Sequence, residues 1–141
     1  MVDRVDTFPK ILKSSAREFA HKHAICEKNL GIWQAWSWYE VLDETRTLAA
    51  GLAATGFSRG DKLAIVGDNR PHLYCAMGAT QSLGGVPVPM YQDAVADELK
   101  FVLAHAEAKF ALAEDQQQVD KLLEIKDDCS YLEVIMRQVA G

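Results

Sequence analysis

KLAIVGDNRPHLYCAMGATQSLGGVPVPMY, residues 62–91, decides the fold of this chain. It opens with an unbroken apolar run, Leu63, Ala64, Ile65 and Val66. The turn Asp68-Asn69-Arg70-Pro71 follows, then a helical stretch that ends at Gly84-Gly85, then a second apolar run through Tyr91. Strand, helix and strand in that order, with strands apolar on both sides, form the unit of a parallel sheet covered on both faces. From Pro71 to Gln92 there is no Asp, Glu, Lys or Arg, so the segment is long enough to raise a membrane span. Gly84, Gly85, Pro87 and Pro89 break any helix in its second half, and a buried helix followed by a buried strand is the expectation.

Working outward, the same alternation continues. A helix is expected from Asp93 with the stripe Val95, Leu99, Val102, Leu103 and Ala106. A third strand covers Phe110–Ala113, a helix residues 115–125, and a fourth strand residues 132–136. On the N-terminal side, Ser37 and Glu40 have the spacing of a capping box, placing a helix start near Trp38. Its stripe is Val41, Leu42, Leu48, Ala49, Leu52 and Ala53, and Gly56 supplies a left-handed stop. Residues 24–28 and 32–38 read as a β-hairpin joined at Asn29-Leu30-Gly31. Trp36 and Trp38 then share one face and Trp33 takes the other, as hairpin packing. A first helix starts near Thr7, with Pro9 in its first turn and Ile11, Leu12, Ser15, Ala16 and Phe19 on one face.

Composition narrows the function classes. The chain of 141 residues has 49% hydrophobic and 25% charged residues, a globular mix that argues against a disordered tail. A net charge of −5 without clustered Lys and Arg argues against nucleic-acid binding. Cys26, Cys75 and Cys129 are odd in number and far apart, which suits a reducing cytoplasm and no disulfide framework or zinc site. Asp3, Arg4 and Asp6 stand where a signal peptide needs its apolar core. A cytoplasmic protein without a transmembrane segment is expected.

Ligands of open parallel sheets bind at the carboxyl ends of strands, which singles out Gly67-Asp68-Asn69-Arg70. Asn69 is expected to cap the following helix and Arg70 to be solvated; an anion site at the helix N-terminus is the alternative. Glu114-Asp115 reads as a strand end and helix cap. Gly51 and Gly56 have the spacing of P-loop glycines, but Phe57 and Ser58 follow where Lys and Ser/Thr are required. Arg59-Gly60-Asp61 is expected to be a tight turn. His21 and His23 lie near a helix end, and His72 and His105 fall in separate helices with no acidic or cysteine partner expected, so no ligand cluster forms. No serine has nucleophile-elbow glycines.

Several strings carry a resemblance. WQAWSWYEV (33–41) resembles a strand that runs into a helix through a Ser/Thr-aromatic-x-Glu step. LAATGFSRGDKLAIVGDNRPHLYCAMGATQSLGGVPVPMY (52–91) is similar to a Leu-Gly-x-x-x-Gly-Asp-x-Val-Ala-Ile strand, a helix and a Gly-Gly-x-x-x-Pro strand. YQDAVADELKFVLAHAEAKFALAEDQQQVDKLLEI (91–125) resembles a branch with Ala-Glu-Asp followed by Gln-Val-Asp-Lys-Leu. Together, over about residues 7–136, they resemble the N-terminal subdomain of the acyl-adenylate-forming (AMP-binding) enzymes, on the side of the long-chain fatty acid–CoA ligases.

That resemblance implies an incomplete N-terminal portion of an AMP-dependent synthetase/ligase fold across residues 1–141. It implies a parent reaction in which ATP, fatty acid and coenzyme A give acyl-CoA, AMP and pyrophosphate, with Mg2+ on the phosphates. The family's phosphate loop, Thr-Glu step and ribose-binding Asp lie downstream, so no catalytic, cofactor-binding or metal residue is assigned here and no cofactor is expected on this chain alone. Its partner would be the remainder of the parent enzyme, and the chain alone would be inactive. Residues 137–141 do not continue the family pattern, as a truncation, frameshift or incomplete gene model would give. The alternatives are a stand-alone α/β binding protein and a fragment of an acyl-AMP ligase.

Overall fold

The computed structural model describes residues 4–138. Helix α1 spans Phe8–Glu18, and a two-stranded antiparallel hairpin follows, β1 His23–Asn29 and β2 Ile32–Ser37. Helix α2, Trp38–Ala54, leads to the α/β body. This comprises β3 Lys62–Gly67, α3 Pro71–Ser82, β4 Val86–Tyr91, α4 Ala96–Ala106, β5 Phe110–Ala113, α5 Gln116–Ile125 and β6 Val134–Arg137. The four strands of the body are all parallel, in the order β4-β3-β5-β6. The uncharged stretch thus divides into α3 and β4, and among the described residues no helix is long and apolar enough to cross a membrane.

Alternation along the two central strands sorts the core into two layers. Leu63 and Ile65 of β3, with Phe110 and Leu112 of β5, pack with Leu52, Phe57, Ala76 and Ala79 beneath α2 and α3. Ala64 and Val66, with Ala111 and Ala113, face the opposite side, where Leu99, Leu103 and Leu122 of α4 and α5 fill the space above them. Small side chains on the sheet and large ones on the helices reach interior density by interdigitation.

Start signals held where the local chemistry was complete. Ser37 Oγ accepts the Glu40 N–H at 3.2 Å and the Glu40 carboxylate accepts the Ser37 N–H at 2.7 Å, the reciprocal box expected at α2. Gly56, at φ +93°, stops that helix. Ala53 is exposed, however, and the buried position inside the stripe belongs to Thr45, whose hydroxyl is satisfied by Val41 O at 2.7 Å. Helix α4 starts at Ala96 rather than Asp93. Lys121 Nζ donates to the carbonyls of Gln92 and Ala94, at 2.6 and 3.2 Å, and pins the turn closed by the Ala94 N–H on Tyr91 O; the helix begins only where Glu98 caps the Val95 N–H. Val95 and Val102 consequently lie exposed, with Leu99 and Leu103 alone fully buried on this helix. Trp38 is the first residue of α2, so it does not share a strand face with Trp36; Trp33 is exposed and Trp36 half-buried.

Candidate functional site

A cleft of about 490 Å³ opens at the carboxyl ends of β3 and β5, with the hairpin as its second wall. Its polar lining comes from Gly67, Asp68, Arg70, Glu114 and Asp115 at the sheet, His72 on α3, and Glu27, Asn29, Gln34 and Trp36 from the hairpin. This is the position at which an open α/β sheet presents ligand-binding loops.

Glu114 organises the loop. One carboxylate oxygen accepts the Asp68 N–H at 2.6 Å and the other lies 3.2 Å from Arg70 Nε. Asp68 stands 3.9 Å from the same guanidinium and accepts the Asn69 N–H at 2.8 Å. The arrangement needs Gly67, because a Cβ there would come within 2.8 Å of Glu114 Cβ and 2.9 Å of its carboxylate. Glu114 is therefore more than a strand end, while Asp115 caps α5 as expected, accepting the Gln118 N–H at 3.0 Å.

Two expectations at this loop are corrected. Asn69 does not cap α3. Pro71 occupies the first turn and its ring biases the preceding residue toward an extended backbone. Arg70, at φ −119° and ψ 164°, therefore takes the N-cap position without a side-chain cap bond. Asn69 instead accepts a hydrogen bond from the Tyr74 hydroxyl. Nor is Arg70 simply solvated, since two carboxylates flank it. The anion-site alternative loses its cation by the same fact: one guanidinium against Asp68 and Glu114 leaves the loop net negative.

His72 also has an acidic partner that sequence spacing did not reveal. Its Nδ1 lies 3.6 Å from Glu44 on α2, and its ring meets Trp36 edge-on with centroids 5.0 Å apart. The contact joins α2, α3 and the hairpin. His105 stacks on Phe101 at 6.1 Å on the outer face of α4. Among the described residues no three His, Cys, Asp or Glu side chains are grouped to hold a metal. Burial pushes the Cys75 thiol up to about 11 and raises that of Cys129, which leaves both poor nucleophiles; Cys26 is exposed. Gly51 sits inside α2 and Gly56 after it, far from any phosphate-loop geometry. Arg59-Gly60-Asp61 is a turn, with Gly60 at φ +87° and the Asp61 carboxylate accepting the Ser58 N–H.

Chemically, among the described residues four carboxylates (Glu27, Asp68, Glu114 and Asp115) line this cleft with one Arg and one His, and no Lys. Such a lining repels a triphosphate, and its one guanidinium is already paired, so the residues present do not fit the phosphates of ATP.

The comparisons with known proteins agree with the fold. The model of the AMP-binding enzyme family matches residues 12–140. Among curated relatives, long chain acyl-CoA synthetase 3 of Arabidopsis thaliana is 30% identical over 105 residues, covering 74% of this chain and 16% of the relative. The human long-chain-fatty-acid–CoA ligase ACSBG2 is 26% identical over 119 residues, and 4-hydroxybutyrate–CoA ligase 2 of Metallosphaera sedula 28% over 116. These alignments cover 84% and 82% of the chain, but 18% and 20% of the relatives. The chain thus spans about a fifth of the length of the curated relatives it matches. Among solved structures, the N-terminal domain of FACL13 from Mycobacterium tuberculosis superposes with a TM-score of 0.83 at 19% identity, over 92% of this chain and 33% of that one. A fold shared with the N-terminal domains of acyl-CoA ligases and a family match over nearly its whole length identify the chain as a member of the AMP-binding enzyme family, corresponding to an N-terminal part of its acyl-CoA ligases.

Proposed function

We propose that residues 1–141 are part of the N-terminal domain of a long-chain fatty acid–CoA ligase of the cytoplasm. In that reading the whole enzyme joins a fatty acid to coenzyme A at the expense of ATP, and this portion supplies scaffold. The observation that carries it is the family match over residues 12–140 on a four-stranded parallel sheet. Long-chain ligases among the relatives support the acyl class, and the unpaired state of Cys26, Cys75 and Cys129 supports a reducing compartment. No residue of this chain takes a catalytic, cofactor-binding or metal-binding role. The acidic cleft around Arg70 supports that assignment on electrostatic grounds.

Incubation of the 141-residue protein with ATP, Mg2+, palmitate and coenzyme A tests the reading. The expected result is neither palmitoyl-AMP nor thioester, and no saturable ATP binding by calorimetry. Turnover above the protein-free blank would overturn the scaffold assignment.

A further inference from the structure

His72 stands at the second residue of α3 with other elements close about it. Helix α2 brings Glu44, the hairpin brings Trp36, and the loop before α3 carries Asp68 and Arg70. The two ring nitrogens meet different surroundings. Nδ1 is shut off from solvent and has no hydrogen-bond partner among the described residues, and the Glu44 carboxylate lies 3.6 Å from it. Nε2 lies across the ring from that carboxylate and is not shut off in this way, and His72 forms part of the cleft wall.

A neutral imidazole carries its proton on one nitrogen and a lone pair on the other. With the proton on Nε2, the buried Nδ1 lone pair would face a carboxylate, acceptor against acceptor, and would go unsatisfied. With the proton on Nδ1 the same neighbours become complementary. A rotation of the Glu44 side chain that closes the gap by about 0.6 Å gives an N–H···O bond of ordinary length. Glu44 has room for that movement, since its side chain is 32% exposed. Arg70 does not compete for the carboxylate, because Glu114 and Asp68 flank its guanidinium. Trp36 meets the imidazole edge-on at 5.0 Å and fixes the plane of the ring. The hydrogen bond made by one ring nitrogen then decides what the other presents.

We infer that Glu44 sets the tautomer of His72, holding the ring proton on Nδ1 and leaving Nε2 a bare acceptor at the cleft wall. Glu44 is thus a positioning residue that acts through His72, from a helix with no residue of its own in the cleft lining. At this point the cleft offers a lone pair to an N–H or O–H donor, and an anion finds no donor here. The contact lies within the packing of α2 on α3 and is independent of the function proposed above.

Long-range proton–nitrogen correlation spectra of the 141-residue protein read the tautomer directly, because protonated and bare ring nitrogens resonate far apart. At about pH 8.5, some two units above the ordinary imidazole value of about 6.5, neutral rings are compared in every variant. The expected His72 pattern is a protonated Nδ1 and a bare Nε2, assigned by its loss in His72→Gln. In Glu44→Ala the proton should move to Nε2, the nitrogen that an unpartnered histidine favours. A second readout separates the tautomer from mere packing. An asparagine amide nitrogen stands where Nδ1 stands, and a glutamine amide nitrogen where Nε2 does. Adding Glu44→Ala should therefore lower the urea midpoint of wild type and of His72→Asn alike, and that of His72→Gln much less. A wild-type ring with a bare Nδ1, or one protonated at both nitrogens at this pH, overturns the inference, and the wild-type spectrum decides even where a variant does not fold. So does a Glu44→Ala ring with an unchanged pattern, or an equal midpoint loss in His72→Asn and His72→Gln.

Discussion

Gly85 is tightly enclosed, and replacing it by Ala has a cost that follows from three distances. A Cβ at this position would stand 2.5 Å from two ring atoms of Phe57 and 2.8 Å from the carbonyl oxygen of Asp61. Carbon atoms pack at about 3.5–4.0 Å, so the ring must retreat by roughly 1 Å. It has nowhere to go, because Phe57 is 5% exposed and meets Phe110 edge-on at 5.0 Å. The Asp61 oxygen is no freer, since it accepts the Val86 N–H that opens the pairing of β3 with β4. Overpacking against both a core ring and a ladder carbonyl puts Gly85→Ala near the upper end of the usual range, about 3 kcal/mol. With a urea slope of about 2 kcal/mol/M, the unfolding midpoint should fall by roughly 1.5 M. Gly51→Ala is the matched control: it lies inside α2 with nothing within 4 Å of its would-be Cβ, and should gain about 0.5–1 kcal/mol. Adding Phe57→Leu, which removes the clashing ring atoms, should recover part of the Gly85→Ala loss, so the two substitutions are non-additive. A Gly85→Ala midpoint within about 0.3 M of wild type, or strict additivity with Phe57→Leu, would refute the packing argument.

Leu30→Asn relieves a non-glycine residue held at φ +50° at a hairpin tip where it is 94% exposed. Thermal melts should show a gain of about 1 kcal/mol, and a loss would mean that the leucine makes a contact at the tip. The backbone and then the side chain of Ser37 hold the Glu40 carboxyl below its ordinary value of 4.5. A lowered folded pKa gives stability that is fully present above 4.5 and is lost as pH falls through the folded value. The stability difference between wild type and Glu40→Gln should therefore narrow between pH 6 and pH 3 (values set by the assay, about two units around the carboxyl range), and parallel pH curves would remove the linkage. A thiol reagent at neutral pH should modify Cys26 rapidly in the native protein and Cys75 and Cys129 only in denaturant, with the raised thiol values of the buried pair adding to the protection. Rapid native modification of Cys75 would contradict its burial between α2 and α3.

Much of the architecture was legible because its signals are local. The Ser37–Glu40 box, the apolar run of β3, the helix-breaking glycines and prolines between α3 and the end of β4, and the glycine stop at Gly56 each depend on residues a few positions apart. What escaped the sequence depends on partners brought in by folding. Nothing near Asp93 announces that Lys121 will hold the carbonyls of Gln92 and Ala94 and delay α4. Thr45 reads as a polar interruption of a stripe, but its hydroxyl bonds Val41 O and its methyl meets the space left by Gly78 across the α2–α3 contact. The Asn69 error was avoidable, since a proline at position 71 already biases position 70 toward the extended backbone of an N-cap. Glu114 and Glu44, by contrast, reach their partners Arg70 and His72 across the fold, and spacing carried no signal of either. Family resemblance was legible through the order of weak strings, and the match over residues 12–140 bears it out.

The bond from Asp68 N–H to Glu114 links positions separated by 46 residues. The loop that shapes the cleft therefore cannot acquire its final form when β3 and α3 assemble, although its neighbours in sequence are already in place. It must wait for β4, α4 and β5 to be laid down and docked, so the local site matures only with the long-range pairing of β3 and β5. In native-state hydrogen exchange the Asp68 amide should accordingly share its opening free energy with the amides of β5, and not with those of the adjacent helix α3. A damaged β5 would then erase the cleft while leaving the first strand–helix unit recognisably intact.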